Sequence, residues 1–371
     1  MRIVMMGCRG IPATYGGVEK AVEELSVRLA RQGHEVTVLC RSHYTPKMRA
    51  YENVHIVRLP TIRQKHLEMI LHTLLSTLYV SVKRYDLVHI HSVDPAIVTP
   101  LVRLFHPVVA TSHGQAYRRD KWGRAFRTLS RIAERVFIAT PCKCTAVSKT
   151  LCDYYARTYN KTAEYIPNGV TLQEPVGPEP IRRFGLDKDS YILFVGRLLA
   201  TKGPKLLIDA YRKTRPDLKL VIVGGSSHTD KYEQMLRKEA GPDVLFLGYQ
   251  YGESLKALYS NCRLFVFPSS IEGLPLVLLE ALSFQRPVLF SDIPENREIA
   301  DGLGISFKSG DVDDLAEKLS YALSDAHPFE PLLPAIPARL SRDYNWGSVA
   351  EQYAKVYQQV LAGYEGGSIP G

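Results

Sequence analysis

The sequence has little that would suggest a metal site, a disulfide framework or a membrane anchor. Its six cysteines include no C-x-x-C pair, and Cys142 and Cys144 have no partner pair at zinc-binding spacing. No apolar run reaches the roughly 20 residues that cross a bilayer, and the N-terminal stretch MRIVMMGCRG is too short for a signal peptide. We therefore expect reduced thiols, a cytoplasmic location, no structural metal and no cofactor.

Two common nucleotide-binding motifs are also missing. The loop GCRGIPATYGGVEK, which follows the first predicted strand, contains neither G-x-G-x-x-G nor a P-loop. The dense acidic cluster of Asp311, Asp313 and Asp314 opens a predicted helix, where acidic side chains in the first turn are expected, so a D-x-D metal site is not favoured. The sequence also offers no residue that stands out as a covalent nucleophile.

Length and charge favour two domains. The chain has 371 residues, 45% of them hydrophobic, which suits a soluble protein with two cores. Residues 1–166 carry 25 Lys and Arg against 12 Asp and Glu, whereas the remainder carries 22 against 26. The connector LQEPVGPEPIRRFGL separates the halves. We expect domains at 1–166 and 167–344, an amphipathic helix at about 345–364 and a flexible tail at 365–371.

Both halves alternate short Val- and Ile-rich strands with helices, the pattern of a parallel sheet covered on both faces. The strand Val108–Thr111 runs into TSHG, so His113 is expected at the carboxyl edge of a sheet, where ligands bind. A structural or solvated histidine is the alternative. His89 and His91, on the preceding strand, are expected to alternate faces, with His89 in the core.

The clearest functional pattern is RLFVFPSSIEGLPLVLLEALSFQRPVLFSD, from Arg263 to Asp292. It predicts a buried strand, a polar loop, a helix that begins at Pro275 and a second strand. Glu272 lies in the loop and Glu280 in the second helical turn. Between them is a helix N-terminus, whose amides and dipole suit a phosphate. The two acids could hold sugar hydroxyls around a diphosphate, or they could be incidental to a strand-loop-helix unit.

Two other segments could also contact a diphosphate. Arg197 and Lys202 follow the strand Ile192–Val195 in the run GRLLATKG, where two cations would offset the charge of a leaving diphosphate. Gly16 and Gly17 stand directly before the first helix, where the absence of Cβ atoms lets backbone amides approach an anion. Surface charge for the first segment and a simple tight turn for the second are the alternatives.

The run PSSIEGLPLVLLEA resembles the donor-binding signature of retaining nucleotide-sugar glycosyltransferases of family four, in which a Glu, seven residues and a second Glu mark the donor site. The GR-x4-KG context of Arg197 and Lys202 is similar too, and GCRGIPATYGGVE is closest to a subgroup that includes rhamnosyltransferases. The resemblance implies an α/β GT-B fold. In that fold two Rossmann-like domains face a central cleft, the first for the acceptor and the second for the donor, and the C-terminal helix crosses back to the first.

The resemblance also implies a role for each matched residue. The catalytic set is Arg197 and Lys202 at the diphosphate, Glu272 at the transferred sugar and His113 near the C6 position of that sugar. The donor-binding set is Gly16, Gly17, Gly196, Tyr249, Gln250, Gly273, Leu274, Leu276 and Glu280, with backbone groups of Tyr249 and Gln250 at the nucleobase and Glu280 at the ribose. Pro275 and Gln285 depart from the family pattern, which commonly has glycine at both positions.

The predicted function is metal-independent transfer of a hexosyl group from a nucleoside-diphosphate sugar to a hydroxyl of a glycan or lipid-linked acceptor. Retention of configuration and a place in cell-surface polysaccharide biosynthesis follow from the resemblance alone. A sugar-nucleotide epimerase of similar fold is one alternative. A two-lobed, non-catalytic sugar-binding protein is another.

From Tyr117 to Arg135 the sequence is rich in basic residues, with Trp122 and Phe126 interleaved. No nucleic-acid fold signature accompanies this run, so we do not expect nucleic-acid binding. It is either a solvated helix face or a surface, Arg118–Arg135, that docks reversibly on the anionic inner face of the cytoplasmic membrane. The wide apolar face of the helix predicted from His66 to Val82 is expected to lie in the core, and a contribution to lipid docking is the alternative.

Overall fold

The computed structural model describes residues 1–14, 16–64, 67–115, 124–226, 230–324 and 326–365, and for 124–126, 230 and 365 it describes the backbone alone. These residues form two compact units, Met1–Gly169 with Tyr344–Gly371 and Val170–Asp343. Part of the basic run (116–123) and the predicted tail from 366 onward lie outside the described residues. The six cysteines are free thiols.

The first unit is built on one sheet. Its strands are β1 (Arg2–Met6), β2 (Glu35–Arg41), β3 (Ala50–Tyr51), β4 (Val54–Leu59), β5 (Leu87–His91), β6 (Val108–Ser112), β7 (Lys143–Ala146) and β8 (Glu164–Tyr165). Its first five helices are α1 (Gly17–Arg31), α2 (Leu67–Ser81), α3 (Thr99–Val102), α4 (Arg124–Ala139) and α5 (Lys149–Tyr159). In the described chain the strand order is β3-β4-β2-β1-β5-β6-β7-β8, and β3 pairs antiparallel with β4 while the other pairs are parallel.

The second unit has a fully parallel sheet. Its strands are β9 (Tyr191–Val195), β10 (Lys219–Val223), β11 (Val244–Gly248), β12 (Leu264–Phe267), β13 (Val288–Ser291) and β14 (Ile305–Phe307). Its helices are α6 (Glu179–Arg182), α7 (Pro204–Thr214), α8 (Asp230–Ala240), α9 (Gly252–Asn261), α10 (Leu276–Ser283), α11 (Pro294–Ala300), α12 (Val312–Ala322) and α13 (Ile336–Asp343). Among the described residues the strand order is β11-β10-β9-β12-β13-β14.

Each sheet has a point where the order of its strands reverses. In the first unit the chain builds outward on one side of β1 through β2 and then continues on the other side from β5. In the second unit the same change occurs between β9 and β12. Loops that leave neighbouring strands at such a point diverge and open a crevice at the carboxyl ends of the strands, where ligands of open α/β sheets bind.

The last helix, α14 (Trp346–Glu365), belongs to the first unit and packs against α1. Two of its tyrosines reach the buried side of the sheet: Tyr357 Oη lies 2.7 Å from His89 Nδ1, and Tyr353 Oη lies 3.1 Å from Thr111 Oγ1. The return of the chain to its first unit is the connectivity expected of a GT-B protein, and the α/β fold predicted from the sequence is confirmed.

Gly169 marks the place where the chain leaves the first unit. A Cβ atom added there would lie 2.6 Å from Trp346 Cδ2 and 2.8 Å from Trp346 Cα, the first residue of α14. Gly169→Ala is therefore expected to lower the free energy of unfolding by about 1–3 kcal/mol, because neither backbone can easily move away. Thermal unfolding of this variant would show the loss as a lower Tm.

Gly363→Ala is the matched control, since an added Cβ in this part of α14 meets nothing within 4 Å. That change should keep or raise the Tm, because alanine is about 1 kcal/mol more favourable than glycine in a helix. Equal Tm values for Gly169→Ala and the wild type would show that the contact with Trp346 does not constrain this crossing.

Two expectations about the first unit are wrong. His89 and His91 do not alternate faces, because side chains two residues apart on a strand point the same way, and their ring centroids are 4.0 Å apart. The apolar face of α2 is not in the core: Leu74 and Leu78 are 54% and 64% exposed.

No helix in the part of the chain described here is both long and apolar enough to span a bilayer.

Candidate functional site

The loop after β9 and the loop after β12 are tied together at the strand-order reversal of the second unit. Gly203, which closes the helical turn Ala200–Lys202, has φ +71°, and an added Cβ would lie 2.3 Å from the Pro268 carbonyl oxygen. The Ser270 amide donates to the Thr201 carbonyl at 2.9 Å. A glycine is therefore needed at position 203, and the two loops hold one another in a fixed arrangement.

This arrangement brings Lys202 and Glu272 into direct contact. Lys202 Nζ forms an ion pair with Glu272 Oε1, and the two side chains are 19% and 9% exposed. Arg197 lies half-buried on the same loop as Lys202. Both cations are thus partly buried, so the alternative of simple surface charge is not favoured for this segment. A cation and a carboxylate predicted from separate motifs thus form one site.

The helix after this loop begins one residue later than predicted. Pro275, with φ −78° and ψ 98°, is the N-cap residue of α10 rather than its first residue. Glu280 lies in the second turn, as expected, and Tyr259 Oη donates to its Oε2 at 3.2 Å. Burial, with the negative charge of Glu280 as a further cause, raises the pKa of Tyr259 well above its usual value. Tyr259 therefore stays protonated and holds the carboxylate in place.

Tyr249 and Gln250 follow β11 at the same edge of the sheet. Tyr249 Oη donates to the Gly225 carbonyl at 2.9 Å, and a Cβ on Gly225 would lie 2.8 Å from the Tyr249 ring. Gln250 Nε2 donates to the Leu247 carbonyl at 2.7 Å, which fixes its side chain. The ring of Tyr251 stacks on that of Tyr249 with centroids 6.2 Å apart. These residues form an aromatic platform beside the loops that follow β9 and β10.

The glycine-rich loop of the first unit is held by two acids that the sequence analysis did not single out. The Arg9 amide donates to Glu19 Oε1 at 3.2 Å, and the Ala13 amide donates to Glu23 Oε2 at 2.6 Å. Both acids are buried and lie one helical turn apart on α1, and that spacing was the available signal. Gly16 is the N-cap residue with φ +103°, and Gly17 is the first residue of the helix, which therefore begins one residue earlier than predicted.

A stacked group of histidines lies at the strand-order reversal of the first unit. His91 Nδ1 is 3.1 Å from His113 Nε2, and His89 Nε2 is 2.6 Å from Thr111 Oγ1. Burial lowers the pKa of His113 to about 4 and of His89 to about 3, and that of His91 lies well below its usual value. All three rings are therefore neutral at pH 7. His113 follows β6 directly, at the predicted sheet edge, and His89 lies in the core as expected.

The acidic cluster near the end of the second unit is a helix cap. Asp311 precedes α12 and accepts hydrogen bonds from the amides of Asp313 and Asp314. This confirms the interpretation of these acids as a helix start. Within the residues that the structure describes, no group of three or more His, Cys, Asp or Glu side chains has the arrangement of a metal site.

The predicted residues are thus brought together in two groups. Gly196, Arg197, Lys202, Glu272, Gly273, Leu274, Leu276, Glu280, Tyr249 and Gln250 lie on the loops after β9, β11 and β12 or at the start of α10 in the second unit. Gly16, Gly17 and His113 lie at the carboxyl ends of β1 and β6 in the first unit. Each group stands at the sheet edge that the topology favours for a ligand.

Known proteins of similar sequence and structure are sugar transferases and synthases. The chain is 26% identical to the α-maltose-1-phosphate synthase of Mycobacterium tuberculosis in an alignment of 401 positions, which covers 98% of this chain and 100% of the relative. The structure matches that of sucrose-phosphate synthase from Thermosynechococcus elongatus with a TM-score of 0.82 at 23% identity, covering 97% and 99% of the two chains. It matches HepE from Anabaena, solved in complex with UDP, with a TM-score of 0.76 at 17% identity, covering 97% and 100%.

The sequence also matches two family models in tandem. Residues 15–174 match glycosyltransferase family 4, and residues 179–332 match the glycosyl transferases of group 1. These findings do not favour an epimerase or a non-catalytic sugar-binding protein. The two matches meet between residues 174 and 179, a few residues past Gly169, where the first unit ends, and together they span most of the chain. The chain therefore belongs to the group 1, family 4 glycosyltransferases and has the GT-B fold.

Proposed function

We propose that the protein transfers a hexosyl group from a nucleoside-diphosphate sugar to a hydroxyl group, with retention of anomeric configuration and without a divalent metal. The observation that carries this proposal is the Lys202–Glu272 pair, on the loops that follow β9 and β12 at the strand-order reversal of the second unit, with Arg197 on the same loop as Lys202. It places positive charge, a carboxylate and a helix N-terminus within one group of loops. A sugar diphosphate carries the complementary groups: negative charge on the phosphates and hydroxyls on the sugar.

Arg197 and Lys202 would bind the diphosphate. As the bond between the sugar and the diphosphate breaks, negative charge grows on the leaving oxygens, and two fixed cations stabilise that charge more than they stabilise the ground state. The amides of Leu276 and Val277, at the start of α10, would add donors with the same preference. Because the ion pair and the link between Ser270 and Thr201 already order the loops, little rearrangement is needed when the donor binds.

The carboxylates would bind the sugar hydroxyls. Glu280, oriented by Tyr259, is placed to accept from the ribose hydroxyls, and Glu272 from the hydroxyls of the transferred sugar. Backbone groups of Tyr249 and Gln250 would contact the nucleobase. In the first unit, neutral His113 would lie near C6 of the sugar, and Gly16 and Gly17 would face the diphosphate and the acceptor. These roles follow the family motifs, residue by residue.

The acceptor that we propose is a glycan or a lipid-linked saccharide used in cell-surface polysaccharide synthesis. The basic surface Arg118–Arg135 supports this choice, because it would dock the first unit reversibly on the anionic inner face of the cytoplasmic membrane. Its described part includes Arg127, Arg131 and Arg135, which are exposed on α4. The glycine-rich loop resembles that of a subgroup that includes rhamnosyltransferases, and the donor sugar is left to experiment.

The donor is tested by thermal unfolding with a panel of UDP-, GDP- and dTDP-sugars. A ligand that binds the folded state at about 100 times its Kd stabilises it by about 2.7 kcal/mol, so the matching nucleotide should raise the Tm clearly. Turnover with that donor should persist in EDTA. Glu280→Gln should weaken stabilisation by the matching nucleotide, whereas Glu317→Gln, on the surface of α12, should not. A Tm that no sugar nucleotide changes, or turnover that requires added magnesium, would contradict the proposal.

A further inference from the structure

Helix α2 has the reverse of the usual distribution of polar and apolar side chains. Its buried side carries His72, Thr73, Ser76, Thr77 and Val80. Large apolar side chains form a stripe on the side open to solvent, at Leu67, Ile70, Leu74, Leu78 and, one residue past the helix, Val82. Their spacing of three or four residues places them along one line of the helix. A surface helix normally faces its core with such a stripe, so this one is arranged for an apolar environment outside the protein.

The stripe continues onto the neighbouring helices. Helix α2 packs beside α3, and α3 packs beside α4. Leu101 of α3 and Leu104 and Phe105 just after it are 54%, 73% and 52% exposed, and Leu129 and Ile132 of α4 are 37% and 47% exposed. Together with the α2 stripe, these five residues form what we call the α2–α4 face. Most of the exposed large apolar side chains in the described chain belong to it.

The α2–α4 face is bordered by positive charge without exposed negative charge. Arg127, Arg131 and Arg135 are exposed on α4, and Lys83 and Arg84 follow α2 directly. The helices α2, α3 and α4 contain two carboxylates, and both make contacts within the unit. Glu68 forms an ion pair with Arg41, and Glu134 is buried and accepts hydrogen bonds from Tyr154 and Tyr159.

This combination of apolar and basic side chains selects among possible partners. If two copies of the chain met symmetrically through this face, the arginines of α4 would approach one another without acids between them, and like charges oppose association. A bilayer that contains anionic lipid offers acyl chains for the leucines and phosphates for the arginines at the same surface. An interfacial helix of this kind buries its apolar side about 5–10 Å deep, at the boundary between headgroups and acyl chains.

We propose that the α2–α4 face inserts into the surface of an anionic bilayer and anchors the first unit there. This anchor rests on the membrane association in the proposed function and specifies the residues that carry it. The α2–α4 face adds an apolar anchor, formed by eight residues outside Arg118–Arg135 and two within it, to the electrostatic attraction of the basic run. The two contributions differ in their response to salt, since salt screens the attraction between charges and leaves the burial of leucine side chains in place.

Flotation with phosphatidylcholine vesicles, with and without phosphatidylglycerol, tests the proposal. The wild type should float with the anionic vesicles at about 0.1 M salt and should remain partly bound at about 1 M salt. Leu74→Ser combined with Leu78→Ser should lower the partition coefficient at least about tenfold and remove the binding that resists salt. Arg127→Ser combined with Arg135→Ser should weaken binding at low salt by about tenfold and leave the resistant part.

Matched controls separate these effects from misfolding. Leu172→Ser removes a leucine of the second unit that is 40% exposed, and it should float as the wild type does. All variants should keep the wild-type Tm, because the replaced side chains are exposed. The proposal is overturned if the wild type stays unbound with every vesicle, or if the leucine pair variant binds like the wild type. It is also overturned if the wild type is a dimer in solution that this variant converts to a monomer.

The same variants separate this inference from the proposed function. Stabilisation by the matching sugar nucleotide, measured without vesicles, should be equal in the wild type and the leucine pair variant, since the α2–α4 face is not part of the donor site. If no sugar nucleotide binds but flotation behaves as described, the transferase proposal fails and the membrane anchor stands. If a sugar nucleotide binds and flotation fails, the anchor is wrong and a water-soluble acceptor replaces the lipid-linked one.

Discussion

Replacing Lys202 by alanine is expected to lower kcat by about a hundredfold or more, because the diphosphate loses a cation that stabilises its developing charge. Arg197→Ala should have an effect of the same size. KM should change less than kcat, since the contact strengthens as the bond to the sugar breaks. Steady-state kinetics with the donor found in the thermal screen would measure both quantities.

The buried ion pair makes a stability control necessary. Lys202→Ala leaves the Glu272 carboxylate, which is 9% exposed, without its partner, so the variant should also unfold at a lower temperature. Rates should therefore be measured well below its Tm. Lys205→Ala is the matched control, because Lys205 lies three residues away and pairs with Asp209 and Glu239 at the surface. Near-normal turnover in Lys202→Ala would remove this lysine from the catalytic set.

The free energy of unfolding should fall steeply as the pH is lowered from about 6.5 to about 5, because histidines that are neutral in the folded state gain protons on unfolding. The pKa of His113 is lowered to about 4, that of His89 to about 3, and that of His91 lies well below its usual value, in each case chiefly through burial. The unfolded chain thus binds more protons throughout this range. The stabilisation that comes from these neutral histidines is fully present above the pKa that they have in the unfolded chain. It is lost as the pH falls toward their lower pKa values in the folded protein.

Each such histidine adds up to about 1.4 kcal/mol per pH unit to the slope, so the three together add up to about 4. Urea unfolding at a series of pH values measures this slope. His91→Gln should reduce it by about one histidine's share, whatever its effect on stability at pH 7. His55→Gln, at an exposed position on β4, is the matched control for the change of residue type. A slope that His91→Gln leaves unchanged would show that this ring already carries a proton in the folded protein.

The strands and the site loops could be predicted from the sequence because each has a local cause. Val- and Ile-rich runs mark β1, β9 and β10, and glycine marks the places where loops touch, as at Gly203. The direct pairing of Lys202 with Glu272 could not be predicted. It depends on β9 and β12 being neighbours in the sheet, although about seventy residues separate them in the chain.

The error over α2 has a different cause. Its leucines recur at helical spacing, and that pattern shows that the helix has an apolar side without showing which way the side faces. The polar residues between them, His72 and Ser76 among others, indicate the direction, since they occupy the side that packs against the rest of the unit. The error over His89 and His91 came from the rule that neighbouring residues alternate, applied to residues two apart.

The return of α14 to the first unit determines the order in which the protein can fold during synthesis. The second unit is one continuous segment, Val170–Asp343, so its core is complete once that segment has left the ribosome. The first unit lacks Tyr353 and Tyr357 until later, and with them two of the hydroxyl groups that contact His89 and Thr111. The first unit, although most of it is made first, is therefore completed last. Until α14 packs against it, the polar groups that α14 covers are open to solvent.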